Sequence, residues 1–414
     1  MNVSSKKIAI IGAGLAGCSL AYELGKSDSF DITIFDKNFE IANEASGNFA
    51  GILEPCLTSD NNFSDQFHTL GYKLLLDFIN KYRDEVEICN QGVLQILSDE
   101  KGLKRYQKIF TKRDINANLA QLLSDQELSR FINKDISTNA VYYPNALSVV
   151  PKSICQLWLK LSGSKLKLDT ELLDVKKTYD GLWKLEVKNT LDIDLESLSF
   201  ESMNFDIVIF AGGYQLFKNI SYLQKIPVYP SYGQLTVIEN YFDIDKTVVD
   251  KGYIIPGYKQ SLQVIGATFR DNTDITGEIR DDDDKFNISQ IKQISLNNYD
   301  ADLKIINSRV TMRCVTSDHL PVIGELAKYT RFKQDFYKPL SKGYPKSKVP
   351  RVKYEGGLYL SSGFGSKGMC SSLISAKIIS SKILNQQSIV SDKLLEALSP
   401  QRFWVRNFKK SLKV

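Results

Sequence analysis

A single stretch near the N-terminus narrows what this 414-residue chain can fold into more than anything else in it. Ile8-Ala9-Ile10-Ile11 runs into Gly12-Ala13-Gly14-Leu15-Ala16-Gly17, and a second run, Asp31-Ile32-Thr33-Ile34-Phe35, closes on Asp36. Short apolar runs of this kind read as buried strands of a parallel sheet. The glycines fit G-x-G-x-x-G. The first permits a tight turn, the second lets backbone approach a pyrophosphate, and the third lets helix pack on strand. The segment from Cys18 to Leu24 then offers a helix N-terminus to phosphates. Asp36 lies nineteen residues after Gly17, near the ~20 expected of an acid that takes a ribose hydroxyl. Lys6-Lys7, the apolar stretch and Leu15-Ala16-Gly17-Cys18 also match a lipoprotein signal peptide. The second strand with its terminal acid decides for a dinucleotide-binding βαβ unit, because a signal peptide gives no reason for one.

The length suggests two or three domains at roughly 150 residues each. No apolar run approaches the ~20 residues of a bilayer-spanning helix, so no membrane partner is expected. The six cysteines are scattered without a C-x-x-C pair, which reads as reduced thiols of a cytoplasmic protein. Only His68 and His319 are available, too few for a histidine-rich metal site, and no metal is expected. The net charge of +5 is unevenly placed. Residues 330–353 hold eight basic residues against Asp335 alone, and residues 401–414 hold five with no acid. Those segments carry +12, which leaves the rest of the chain at −7. Two short cationic segments point to an anionic partner.

Further motifs choose among nucleotide-binding classes. Ala45-Ser46-Gly47-Asn48-Phe49-Ala50-Gly51-Ile52-Leu53-Glu54-Pro55 resembles the A-S-G-N-x-x-G-x-x-x-P segment of the FAD-dependent D-amino-acid-oxidase-like superfamily. The form with Asn resembles the oxidoreductase domain of the MnmC family of tRNA wobble-uridine modification proteins. In the order that superfamily has them follow Phe205 to Gly213 (strand into glycine turn), Ser231-Tyr232-Gly233-Gln234-Leu235, and Val264-Ile265-Gly266-Ala267-Thr268-Phe269. Arg309 to Gly324 then resembles R-x-x-x-R-x-x-T-x-D-x-L-P-x-x-G, and Gly363-Phe364-Gly365-Ser366-Lys367-Gly368 resembles G-x-G-S-R-G. Leu398-Ser399-Pro400-Gln401-Arg402-Phe403 is similar to the ending A-L-x-P-x-R-F. The resemblance runs from Ile8 to about Phe408. It departs at Phe49-Ala50, where Arg-Gln is usual, at Tyr232 and at Lys367, where Arg is usual. Lysine does not replace a guanidinium fork like for like.

The resemblance implies an α/β (α+β overall) fold of glycine-oxidase type. A Rossmann-type FAD-binding domain (residues 1–84, 146–220 and 308–400) would stand beside a mainly antiparallel β substrate domain (85–145 and 221–307). Residues 330–353 are expected as a basic loop and 401–414 as a basic tail. Asp281 to Asp284 reads as a solvated loop or helix start, where acids suit the dipole. The resemblance implies noncovalent FAD held by Gly12, Gly14, Gly17, Asp36, Lys37, Ser46, Gly47, Asn48, Gly51, Leu172, Ala211, Gly212, Gly363, Gly365, Ser366, Lys367 and Gly368. Cys314 stands three residues beyond the position of the flavin-linked cysteine in sarcosine-oxidising relatives.

Arg313 aligns with the arginine that binds substrate carboxylate in glycine-oxidising relatives, and a planar guanidinium suits bidentate carboxylate recognition. The competing reading makes it a structural partner of Asp318. The MnmC resemblance implies oxidative removal of the carboxymethyl group from 5-carboxymethylaminomethyl(-2-thio)uridine at the tRNA wobble position. The products would be the 5-aminomethyl(-2-thio)uridine and glyoxylate, with a separate methyltransferase for the next step. The basic segments, with Tyr337, Tyr344 and Trp404 among them, would contact the tRNA anticodon region. The alternatives are an oxidase of a free amino acid or secondary amine, and a flavin-binding module without catalysis.

Overall fold

A computed structural model describes residues 5–133, 135–191, 200–270, 276–294 and 303–410. Backbone contacts divide the chain into two units. The first holds residues 1–43, 155–230 and 313–414, and the second 44–154 and 231–312. Residues 44–84, 146–154 and 308–312, which the sequence reading groups with the nucleotide-binding domain, lie in the second unit. Residues 221–230 lie in the first.

The first unit is built on a six-stranded sheet. Its order is Val322–Glu325, Leu358–Ser362, Ile207–Phe210, Lys6–Ile11, Phe30–Phe35 and Lys165–Lys167. All neighbours are parallel except the first pair. The central strands are buried apart from the exposed Lys6-Lys7 start of the first, and Ile8–Ile11, Ile207–Phe210 and Leu358–Leu360 are apolar, as a parallel sheet covered on both faces requires. The helix Leu15–Leu24 packs against the helix Gly368–Ile383, and Ser19 Oγ donates to the Ser372 carbonyl at 3.1 Å. Small side chains on both helices allow that approach. A separate antiparallel sheet of Thr170–Lys177, Trp183–Asn189 and Phe200–Phe205 adds Leu172, Leu185 and Trp183 to the same apolar core.

The second unit is built on a nine-stranded, mainly antiparallel sheet. The acidic run begins the helix Asp281–Ile294. Only part of it faces solvent: Asp283 pairs with buried Arg270 at 2.6 Å, and Asp284 is itself buried and accepts from Ser308 Oγ at 2.8 Å. Charge alone concealed this, because the partners lie elsewhere in sequence.

Two expectations about the basic segments need correction. Residues 330–353 are not simply a loop, since Tyr329–Ser341 is a helix. Tyr329, Phe332, Phe336 and Leu340 recur at helical spacing beneath the lysines, and Phe332 and Phe336 are buried. Nor is 401–410 a tail. Arg402–Lys409 is a helix whose Phe403, Trp404 and Phe408 are buried, each contributing roughly 2–3 kcal/mol of apolar transfer. Trp404 Nε1 donates to the Lys225 carbonyl at 2.7 Å, so Trp404 is core and unavailable to stack on a base. Residues 411–414, Lys413 among them, lie outside the described residues.

Candidate active site

In the first unit the glycine turn is dictated by contact. Gly12 sits at φ +113°, and a Cβ there would stand 2.9 Å from the Ala211 carbonyl and the Gly212 backbone, just past the end of the adjacent strand. A Cβ on Gly17 would stand 1.8 Å from the Gly12 carbonyl oxygen. Gly14 caps the helix Leu15–Leu24, which has no acid in its first turn and no side-chain cap. The helix Gly368–Ile383, capped by Lys367, likewise has neither. The two first turns are neighbours, because a Cβ on Gly368 would lie 3.3 Å from Leu15 Cδ1. Two helix N-termini thus lie side by side, neither with an acid in its own first turn, an arrangement that suits an anion.

Asp36 has a task that its spacing did not reveal. Its Oδ2 accepts from Ala13 N at 2.7 Å, and its Oδ1 accepts from Asn38 N and Nδ2 at 2.9 Å each. It therefore ties the glycine turn to the end of the second strand. A carboxylate offers roughly four acceptor positions, so one remains for a ribose hydroxyl. Lys37 beside it is exposed. Leu172 is buried in the core, and a bulge interrupts the ladder between it and Asp174.

The second glycine turn lies against the end of the strand Ile305–Thr316. Gly363 and Gly365 adopt φ +73° and +56°. A Cβ on Gly363 would come within 2.8 Å of Thr316 Cγ2, and Gly365 N donates to the Cys314 carbonyl at 2.9 Å. Ser366 and Lys367 at its tip are exposed. Arg313 precedes Cys314 and is 6% exposed. Burial pushes the Cys314 thiol up to about 12, although the Ser362 hydroxyl and the Gly363 backbone act in the opposite direction.

Asp318, the proposed structural partner of Arg313, is engaged elsewhere. Arg402 grips it in a fork, Nε to Oδ2 at 3.0 Å and Nη2 to Oδ1 at 2.9 Å, and Arg406 Nη2 adds a bond of 2.8 Å. Burial pushes its carboxyl upward, but these guanidinium bonds and charges outweigh that and hold it at about 2.

In the second unit, Ala45–Gly47 forms one 3-10 turn containing Ser46. Asn48 Oδ1 accepts from Thr311 Oγ1 at 3.0 Å, and Arg309 Nη2 donates to the Glu44 carbonyl at 3.3 Å. The 44–48 segment thus runs along residues 309–311. Gly51 pairs with Val149 and begins the strand Gly51–Leu53. The departure at Phe49 has a physical explanation: its ring packs 5.8 Å from that of Tyr258 in an apolar cluster.

Sequence reading missed a third cationic stretch. Lys101, Arg105, Lys108 and Lys112 are exposed on the helix Glu100–Lys112. Their spacing of four, three and four is a helical stripe that periodicity would have found. Among the described residues, no three His, Cys, Asp or Glu side chains are grouped to hold a metal ion.

The chain is 26% identical to the tRNA 5-methylaminomethyl-2-thiouridine biosynthesis bifunctional protein MnmC of Hydrogenovibrio crunogenus, over 98% of this chain and 60% of that one. Identity is again 26% to the protein of that name from Campylobacter jejuni subsp. jejuni, over 99% of this chain and 60% of that one. The chain therefore spans about 60% of the length of these curated relatives. Among solved structures it resembles glycine oxidase from Geobacillus kaustophilus (TM-score 0.72, 17% identity, 96% of this chain and 99% of that one). It also resembles iminodiacetate oxidase from Chelativorans sp. BNC1 (TM-score 0.69, 19% identity, 95% and 98%). The glycine cradles, the paired helix N-termini without first-turn acids and the placement of Asp36 suit a dinucleotide, and residues 7–382 match the DAO model, FAD dependent oxidoreductase: the chain belongs to that family, and its cofactor is FAD.

Proposed function

We propose that this chain oxidatively removes a carboxymethyl group from the secondary amine of 5-carboxymethylaminomethyl(-2-thio)uridine in tRNA, leaving the aminomethyl base and glyoxylate. The observation that carries the reading is Arg313, a buried arginine one residue before Cys314, whose carbonyl accepts from Gly365 N, while Asp318 is held by Arg402 and Arg406. The relatives' names, which refer to tRNA 5-methylaminomethyl-2-thiouridine biosynthesis, support the choice of substrate.

When bound, FAD supplies the acceptor for the hydride leaving the carbon between the amine nitrogen and the carboxylate. The chain supplies position. Arg313 takes the substrate carboxylate in two parallel N–H···O bonds, which fixes the direction of the adjacent C–H. Loss of hydride from that carbon, with the amine proton passing to solvent, leaves an imine. Water adds to the imine carbon, and the C–N bond breaks to give the primary amine and glyoxylate. The proposed cofactor set is that expected from sequence, from Gly12, Gly14, Gly17 and Asp36 to Gly363, Gly365 and Gly368.

Nucleoside mass spectrometry of carboxymethylaminomethyl-bearing tRNA, before and after incubation with the protein, tests the proposal. An unchanged nucleoside with an oxidisable flavin refutes it. A second reading, oxidation of a free amino acid or secondary amine, is favoured by the likeness to glycine and iminodiacetate oxidases. Steady-state turnover of glycine, sarcosine or iminodiacetate, with tRNA left unmodified, would select it.

A further inference from the structure

The two basic segments are about fifty residues apart in sequence but meet in the first unit. Phe332 and Phe336 stack at 4.2 Å, Phe332 packs on Trp404 at 5.2 Å, and Tyr337 meets Phe408 edge-on at 5.4 Å. That last contact sits at the surface, since Tyr337 is 40% exposed. Lys338 follows Tyr337, and Lys409 and Lys410 follow Phe408, on the two helices that this contact joins. Arg331, Lys333, Lys342, Lys346 and Lys348 extend the same helix and the turn after it, and all are exposed. Among the described residues none of these eight cations has a carboxylate within salt-bridge distance, whereas Arg402 and Arg406 are committed to Asp318. Cations in the last turn of a helix gain from its dipole. That explains Lys338 and Lys409 but not the cluster, because like charges held together without counter-charge repel.

We infer that the Tyr329–Ser341 helix, the turn after it and the end of the Arg402–Lys409 helix form one preassembled docking face for an unpaired RNA segment. The inference rests on the tRNA reading above and adds where the RNA is held. Charge complementarity selects a polyanion. Tyr344, 40% exposed between Lys342 and Lys346, offers a ring to an unstacked base. A bilayer is a poor fit, because the residues that would have to form an apolar face on these helices, Phe332, Phe336, Phe403, Trp404 and Phe408, are buried inward.

The test is binding of a labelled tRNA anticodon stem-loop by fluorescence anisotropy across a salt series. It compares the parent with Lys342→Ala/Lys346→Ala/Lys348→Ala, with Lys409→Ala/Lys410→Ala and with Tyr344→Ala. Flavin absorbance at each step verifies that the variants are folded. With a slope of roughly −0.7 per neutralised phosphate on single strands, the triple variant flattens the log–log salt dependence by up to about 2 and the double by up to about 1.4. Tyr344→Ala weakens binding about 5- to 150-fold at the parent's slope. Variants that keep the parent's slope and affinity overturn the docking face while leaving the tRNA reading intact. A parent that binds no RNA overturns both. Poly-glutamate displacing the RNA as well as unlabelled RNA does would assign the face to acidic proteins and overturn the inference.

Discussion

Replacing Asp318 with Asn tests the claim that this carboxylate anchors the C-terminal helix and is not the partner of Arg313. The side chain is 17% exposed and accepts three guanidinium bonds from Arg402 and Arg406. Its carboxyl is held at about 2, against an ordinary 3.8. At about 1.36 kcal/mol per pH unit that difference corresponds to about 2.4 kcal/mol, and partial solvent exposure reduces it to about 1–2 kcal/mol. Arg402 is 7% exposed. It keeps the carbonyls of Leu398, Ser399 and Leu320, which softens the cost of stripping a buried charge of its counter-ion. The substitution is therefore expected to cost about 2–3 kcal/mol at pH 7. For a unit of this size that is a fall in Tm of roughly 5–10 °C. Because the folded-state pKa is depressed, the contribution is present above the unfolded value and lost as pH falls through the folded one. About half is gone by pH 3. Differential scanning fluorimetry and urea melts of parent and variant at pH 7, 4 and 3 measure both effects, with flavin-dependent turnover followed in parallel. An unchanged Tm accompanied by the turnover loss expected of an Arg313 variant would show that Asp318 serves Arg313, and would refute the reasoning.

Arg313→Ala is expected to keep its flavin absorbance while kcat/KM for a carboxymethylamine falls about 30- to 5,000-fold, the range for truncating one partner of a buried charge-assisted contact; an unchanged kcat/KM returns Arg313 to a structural role. Gly17→Ala drives a Cβ to within 1.8 Å of the Gly12 carbonyl oxygen, so the variant should purify colourless or with sharply reduced FAD content, and full flavin occupancy would contradict the packing argument. Acid precipitation should release all the flavin, because burial holds the Cys314 thiol protonated; colour retained in the pellet would mean a covalent link. The salt series on the lysine and Tyr344 variants completes the set.

Much of the geometry of the glycine turns was legible in the chain because its constraints are local. A turn as tight as Gly12 to Gly17, a strand of four apolar residues and an acid at the end of the next strand each leave a signature within forty residues. The glycines at 363, 365 and 368 did the same at the far end. Even so, sequence showed only the kind of residue at Asp36, and not that its carboxylate bonds Ala13 N before any ligand arrives. The charge counts of residues 330–353 and 401–414 were correct as counts. They misled about structure because charge is read without regard to period, whereas Phe332, Phe336, Phe403, Trp404 and Phe408 at helical spacing decide that the segments fold and dock. Partners separated by tens to hundreds of residues were decided by the tertiary structure alone: Asp318 with Arg402, Asn48 with Thr311, Gly12 against Ala211 and Gly212. Local chemistry is written in neighbouring residues, but which carboxylate meets which guanidinium depends on how the strands are ordered in the sheet. Here that order places Ile207–Phe210 beside Lys6–Ile11, about two hundred residues apart along the chain.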